Sequence, residues 1–348
     1  MTSPLSQSVA GSSAAQLRAL LHGAGLSALG NNTGWIRVTG EDRVRWLNGM
    51  VTNSIQDLQQ NHGCYNFLLS VQGRIQGDAY IFAQADSFLL ETAAEQVPAL
   101  MALLDRFIIM DDVELADASG TQAGLSLSGP GASALLEQLG LTSAPLAELE
   151  MQPQPWRSSN VTVIHAYSPL VPRFELWTDA ATAEILSQEL LDADAALCGD
   201  EAQQWLRLLE GTPLYGVDIR DRELPQETGQ TRALHFAKGC YLGQEIVERI
   251  RSRGNVHRAF TGFRLEGALP AGGTILEADG KQIGELTTVG AIPLGHDTVQ
   301  LALGYARREA LDRGLPLQYA DGTAHPVMLP FAAVEALPAQ PASESERV

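Results

Sequence analysis

The chain has 348 residues, with 41 acidic side chains against 23 basic ones and a net charge of −18. An acidic excess of that size excludes a broad nucleic-acid surface, which needs clustered Lys and Arg, but leaves room for a small local basic site. Three scattered cysteines without a C-x-x-C spacing exclude a disulfide framework and a self-contained zinc or iron–sulfur centre, and no apolar run is long enough to span a bilayer.

In chain order, the first dozen residues read as a polar lead-in with no basic start and no continuous apolar core, so no signal peptide is expected. Residues 14–27 predict a short amphipathic helix with Leu17, Leu20, Leu21 and Leu26 on one side. "GWIRVTG" predicts an alternating strand, and "GEDRVRWLNGMVTNSIQDL" a helix with Val44, Leu47 and Val51 on one face. "GCYNFLLSVQGRIQGDAYIFAQADSFLLETA" reads as three strands split by turns at Gln72-Gly73 and Ala85-Asp86. "EQVPALMALLDRFIIMDDVEL" reads as a helix and then a strand. That order predicts an α+β layer, with helices on one face of a mostly antiparallel sheet.

A second pass of similar grammar follows. "AGLSLSGPGASALLEQLGL" is strand, turn and helix; "VTVIHAYSPLVPRFELWTD" is two strands; "AATAEILSQELLDADA" and "DEAQQWLRLLEGTPLYG" are helices. From Ala259 the chain becomes short alternating segments between Gly-rich turns, which predicts a small β-barrel. The expected organisation is a tail with a short helix (1–28), two α+β modules (29–258), a barrel (259–335) and a disordered end (336–348). Sparse cysteine points to a reduced, cytoplasmic protein, and nothing requires an oligomer.

The densest chemistry lies in "HFAKGCYLGQEIVERIRSRGNVHR", residues 235–258. A helix starting near Tyr241 would put Cys240 at its N-terminal end, where free N–H groups and Lys238 favour a thiolate; the plain alternative is a small filler at a tight turn. Arg249, Arg251 and Arg253 share one side only if the chain is extended there, as a stripe suited to carboxylates or phosphates. Otherwise they form a solvated face balanced by Glu245 and Glu248. Asp78, beside Gly77 inside a predicted strand, reads as an inward carboxylate for a polar heterocycle or as an exposed strand-end acid. No P-loop, G-x-G-x-x-G, G-x-S-x-G or H-E-x-x-H is present.

The octet "KGCYLGQE" resembles the signature of the YgfZ family, folate-binding iron–sulfur maintenance proteins related to the aminomethyltransferase (T-protein) of the glycine cleavage system. "VTGEDRVRWLNGMVTNSIQDL", "CYNFLLSVQGRIQGDAYIF" and "LRLLEGTPLYGVDIRDRELPQE" resemble further segments of these proteins, and the β-rich tail resembles the T-protein barrel. The resemblance implies a three-lobed α+β fold around a tetrahydrofolate pocket, with Tyr65 lining it and Asp78 meeting the reacting part of the folate. Where the T-protein has two consecutive acids, this chain has Gly77 and Asp78. The glutamate of the R-x-E-A-G pattern falls on Leu209, so the resemblance implies pterin recognition that is either altered, with Glu210 or Glu227 substituting, or weakened.

Lys238, Tyr241, Gln244, Arg249 and Arg251 are further candidate folate contacts, the arginines toward a glutamate tail or an acidic partner. Cys240 and Asp78 are the residues expected to carry function. The implied role is an accessory factor that binds tetrahydrofolate and supports iron–sulfur cluster assembly or repair, and through it tRNA modification. Its partners would be iron–sulfur assembly or client proteins that supply the ligands one cysteine cannot. The alternative is a folate-dependent aminomethyltransferase or demethylase using Asp78, and a third reading is a folate-binding scaffold without chemistry.

Overall fold

The computed structural model describes residues 11–331, apart from 143, 144 and 255. The tail expected to be disordered, 336–348, lies outside the described residues, as does most of the polar lead-in. The chain opens with α1 (Ser13–His22) and β1 (Gly25–Ala28). A first lobe follows: β2 (Thr33–Thr39), α2 (Arg43–Met50), β3 (Gly63–Leu69), β4 (Ile75–Ala83), β5 (Phe88–Ala93), α3 (Val97–Asp105) and β6 (Glu114–Asp117). The second lobe runs β7 (Ala123–Ser128), α4 (Ala132–Gln138), β8 (Met151–Trp156), β9 (Ser159–His165), β10 (Arg173–Thr178), α5 (Ala180–Asp192) and β11 (Ala196–Leu197). Helices α6 (Asp200–Glu210) and α7 (Gln244–Arg253) bracket a largely irregular central segment. The last lobe holds β12 (Arg258–Gly267), β13 (Ile275–Ala278), β14 (Lys281–Leu294), β15 (Asp297–Arg307), α8 (Arg308–Asp312), β16 (Leu317–Tyr319) and β17 (Gly322–Val327).

The two sheets repeat one plan. The first is ordered β3-β4-β5-β2-β6 and the second β8-β9-β10-β7-β1-β11, so the only change is β1 slotted in beside β7. The third lobe is a closed barrel, β12-β15-β14-β13-β16-β17. Strand alternation sorts the side chains into layers. On β4, Ala79, Ile81 and Ala83 join the core under α2 and α3. On β10, Phe174 and Leu176 join the core under α4 and α5. The opposite faces of the sheets meet through Trp35, Phe82, Leu89, Ile164 and Trp177. Trp177 lies edge-on to Trp35 and Phe82, with ring centroids 6.1 and 4.9 Å apart. The barrel joins by a core shared among α1, α6, Ile292, Leu301 and Leu303.

The structure shortens two predicted helices. The helix expected over 14–27 ends at His22, and Leu26 sits instead on β1 in the core of the second lobe. Gly23 and Gly25 break the turn, and a Cβ at 25 would fall 2.5 Å from Leu20 and 2.8 Å from the Cys198 sulfur. The second helix stops at Met50, because Val51 bridges to Leu68 and the Thr52 hydroxyl is committed to Ala233 and Phe67. Strand β8, which the sequence pattern missed, carries Pro153 and Pro155; it survives because it is an edge strand, where prolines can turn the missing N–H outward.

The inter-sheet layer also holds ions. Glu91 of β5 and Glu175 of β10 face one another, with Arg173 paired to Glu175 at 2.7 Å. Burial, and then the Glu175 carboxylate, push Glu91 well above the ordinary carboxylate range. Between the ordinary and the raised pKa, the unfolded chain is ionised at this site and the folded chain is not, so stability falls as pH rises through that window. Glu91→Gln should therefore match the parent protein in acid and exceed it at higher pH, as urea midpoints across pH would show. Trp177→Ala should cost about 3–5 kcal/mol in the same unfolding assay.

Candidate functional site

The site grows from the inner face of β3 and β4. Tyr65 stands opposite Tyr80 in the ladder, and Phe67 opposite Asp78, so all four side chains share one face. The Tyr65 hydroxyl donates to Asp78 Oδ2 at 2.6 Å, and Gln96 Nε2 donates to Oδ1 at 2.8 Å. Gln96 also accepts the Asp78 N–H at 3.2 Å, and Thr92 donates to the Asp78 carbonyl at 2.7 Å. Burial pushes the Asp78 carboxyl upward, against the hydrogen bonds from Tyr65 and Gln96 that pull it down. Gly77 points the other way, into the helix layer, where a Cβ would fall 2.5 Å from Leu100 and 2.9 Å from Gln96. The replaced first acid thus lies on the face away from the tyrosines.

Sequence reasoning missed Arg232, Tyr80 and Tyr167. Arg232 rises from a single 3-10 turn, Thr231–Ala233. Its guanidinium lies 4.1 Å from the Tyr65 ring centre, 3.6 Å from that of Tyr167 and 5.4 Å from that of Tyr80. Nη2 donates to the Tyr80 hydroxyl at 3.0 Å and Nε to Gln230 at 3.2 Å, while Nη1 is buried without a partner. A cavity of about 50 Å³ adjoins this cluster, lined by Tyr80, Glu91, Tyr167, Arg173 and Glu175 among others. A groove of about 500 Å³ beside Trp156 and Arg157 lies apart from it, at the ends of α4 and α5.

Leu209 and Glu210 are the last two residues of α6, within the helix that the sequence pattern predicts. Leu209 is fully buried in the core shared with the barrel. Glu210 turns toward Tyr167, where its carboxylate accepts from the Ser168 hydroxyl; burial raises its pKa. Glu227, the other pterin candidate, is committed elsewhere: it accepts the Leu224 N–H at 3.0 Å and pairs with Arg258 at 3.1 Å.

The octet is arranged differently from the expectation. Helix α7 begins at Gln244, with Gly243 as its N-cap at φ 79°, so exposed Cys240 lies ahead of the cap and not on the helix end. Lys238 does not serve the thiol. Its ammonium donates to the carbonyls of Asn48, Val51 and Asn53 at 2.8, 2.7 and 2.5 Å, closing the end of α2. Burial lowers its pKa to about 8. Gly243 is required by contact as well as by φ: a Cβ there would meet the Ser70 carbonyl at 2.5 Å, where the β3–β4 turn docks. Gln244 accepts the Tyr241 N–H at 2.8 Å, and Tyr241 packs at the edge of the cluster that holds Tyr65 and Phe67.

Positions 249, 251 and 253 are all on α7, so the chain is not extended there; Arg249 and Arg251 form the solvated face of the other reading. Arg249 pairs with Glu245 at 2.8 Å; Arg251 reaches Glu248 at 3.5 Å and the Phe236 carbonyl at 3.1 Å. Burial raises the thiols of Cys64 and Cys198 to about 11 and about 12. Among the described residues, no group of three or more His, Cys, Asp or Glu is placed to hold a metal ion, and no helix is long and apolar enough to cross a membrane.

Tyr65 and Asp78 are thus brought together, with Glu210 near Tyr167, whereas Glu227, Lys238, Gln244, Arg249 and Arg251 are engaged elsewhere. Lys238→Met should leave three carbonyls short of a charged donor and cost about 1–3 kcal/mol. It should also speed amide exchange at Leu242, whose N–H bonds the Gly49 carbonyl.

Comparison with known proteins agrees with this architecture. A chloroplastic protein of Arabidopsis thaliana with a provisional transferase name is 25% identical over 81% of this chain, which spans 65% of that protein. The aminomethyltransferase of Geobacillus kaustophilus is 28% identical, covering 81% of this chain and 80% of its own length. The crystal structure of the glycine cleavage system aminomethyltransferase T from Bartonella henselae shares the fold, with a TM-score of 0.81 at 22% identity over 92% of this chain and 89% of that one. Residues 258–333 match the CAF17 C-terminal beta-barrel domain. Residues 6–238 match the GCVT N-terminal domain, and the chain therefore belongs to that family, related to the aminomethyltransferases.

Proposed function

We propose that the protein binds a tetrahydrofolate at Asp78 among the tyrosines and supports iron–sulfur cluster assembly or repair through the thiol of Cys240. The observation that carries the folate half is the doubly held Asp78 carboxylate. Tyr65 and Gln96 each take one of its oxygens, which fixes its plane and leaves a lone pair on each for an incoming N–H. The tyrosine faces offer stacking surface to a flat ring, and Glu210 stands nearby as a second acceptor. These residue types fit a reduced pterin, whose aminopyrimidinone end is flat and rich in N–H groups. When bound, it would supply a carrier for one-carbon units; the protein's part is to orient that end with Asp78 and to keep water from it with Tyr65 and Tyr80.

The iron–sulfur half rests on the resemblance of "KGCYLGQE" to the YgfZ signature and on the exposure of Cys240, the one exposed cysteine among the described residues. A client or assembly protein would supply the remaining ligands, in a reducing compartment such as the cytoplasm, with tRNA-modifying enzymes as one class of client. A second reading, a folate-dependent one-carbon transferase, is favoured by the retained Asp78 and the aminomethyltransferase relatives.

Calorimetric titration with tetrahydrofolate tests the first half. Asp78→Ala should weaken binding by at least about tenfold, while Cys240→Ser should bind like the parent protein yet fail to restore iron–sulfur enzyme activity in cells that lack it. No binding by the parent protein at millimolar ligand rejects the folate half, and full restoration by Cys240→Ser rejects the thiol role. Turnover of an aminomethyl substrate favours the second reading.

A further inference from the structure

Arg232 stands out from the other buried or half-buried arginines. Arg207, Arg220 and Arg258 pair with Asp218, Glu285 and Glu227, and half-buried Arg37 and Arg43 bond to neutral oxygens, whereas Arg232, with no ion pair among the described residues and Nη1 unpartnered, is packed against three tyrosine rings. What holds it is aromatic: the guanidinium lies over the rings of both Tyr65 and Tyr167, 4.1 and 3.6 Å from their centres. A stacked layer is about 3.5–4 Å thick. At those distances the guanidinium is in contact with both rings, and a second flat group cannot stack on them while it stays.

Only the side chain of Arg232 is free to leave. Its carbonyl accepts from Asn53 Nδ2 at 2.9 Å, and the next residue, Ala233, is fully buried with its carbonyl bonded to Thr52 at 2.7 Å. The guanidinium can swing out by rotating its own χ angles, giving up the bonds to Tyr80 and Gln230. The shape of what it would yield to follows from the slot. Two tyrosine faces and the Asp78 carboxylate beside Tyr65 favour a planar group that is electron-poor or carries an N–H-rich edge.

Resting on the folate reading above, we infer that Arg232 is an internal surrogate for the flat end of the ligand and sets its affinity by competing for the slot at Tyr65 and Tyr167. The 2-aminopyrimidinone edge of a tetrahydrofolate carries the same N–C(N)–N unit as a guanidinium, so one group mimics the other. The free protein is held in a self-occupied form, and the observed affinity is the intrinsic one reduced by the fraction of molecules with the arginine out.

The test compares the parent protein with Arg232→Ala, and with Arg232→Gln should the first misfold. Each is titrated calorimetrically with tetrahydrofolate and, separately, followed in thermal unfolding with ethylguanidinium chloride at millimolar concentration. Removing the competitor should tighten tetrahydrofolate binding by about tenfold. Ethylguanidinium should raise the melting temperature of the variant saturably and leave that of the parent protein unchanged. Equal or weaker tetrahydrofolate binding by a folded variant overturns the inference. If neither protein binds tetrahydrofolate, the folate reading has failed, and the ethylguanidinium arm decides alone: protection confined to the variant upholds the slot, and protection of both or of neither overturns it.

Discussion

The ammonium of Lys238 closes the end of α2 by taking three main-chain carbonyls at once. A helix end leaves such carbonyls without partners, and a cation is the best donor for them. Because this cation belongs to the central segment, capping the helix also straps that segment to the first lobe. Thr52 and Asn53, just past the helix, add side-chain bonds to the carbonyls of Ala233 and Arg232. Upstream of the strap Arg232 is held among the tyrosines; downstream Cys240 is left in solvent. The aromatic slot and the thiol are therefore two ends of one fastened stretch of chain.

The positive charge that the sequence concentrates between 207 and 258 has mostly internal work. Arg207 pairs at 2.7 Å with fully buried Asp218, which also accepts from Thr287 and Thr288 of the barrel. Arg220 and Arg222 converge on Glu285 of β14, and Arg258 of β12 on Glu223 and Glu227. These pairs join the central segment to the barrel. For Arg207 and Asp218, the most buried of these pairs, removing one member costs about 3–5 kcal/mol, because the other is left uncompensated. An acidic protein can thus carry a local run of arginines without presenting a basic surface.

Much of the architecture was legible because it depends on period-two and helical patterning, and both sheets obey it. Asp78 was legible because an acid within a strand is out of place and Tyr65 matched a family spacing. Three kinds of feature were not. The prolines of β8 hid a strand whose edge position only the tertiary fold supplies. The arginines 249, 251 and 253 left an extended stripe and a solvated face undecided because side-chain spacing says nothing of where a helix stops; α7 runs through all of them, and Arg249 and Arg251 pair with Glu245 and Glu248. Arg232 and Tyr167 had no local signal at all, since they come from separate loops and acquire meaning only by meeting across the sheet faces.

The insertion of β1 between β7 and β11 bears on how the chain is assembled during synthesis. Among the described strands, β1 is made before its partners: it has no sheet neighbour until Ala123–Ser128 follows, and its other edge stays open until Ala196–Leu197. The first lobe, by contrast, holds all its strands between Thr33 and Asp117 and is complete as soon as it emerges. Vectorial synthesis therefore completes the first lobe while β1 still waits for its partners, and an unpaired strand is a template for wrong pairing. The brevity of β1, four residues, limits that exposure.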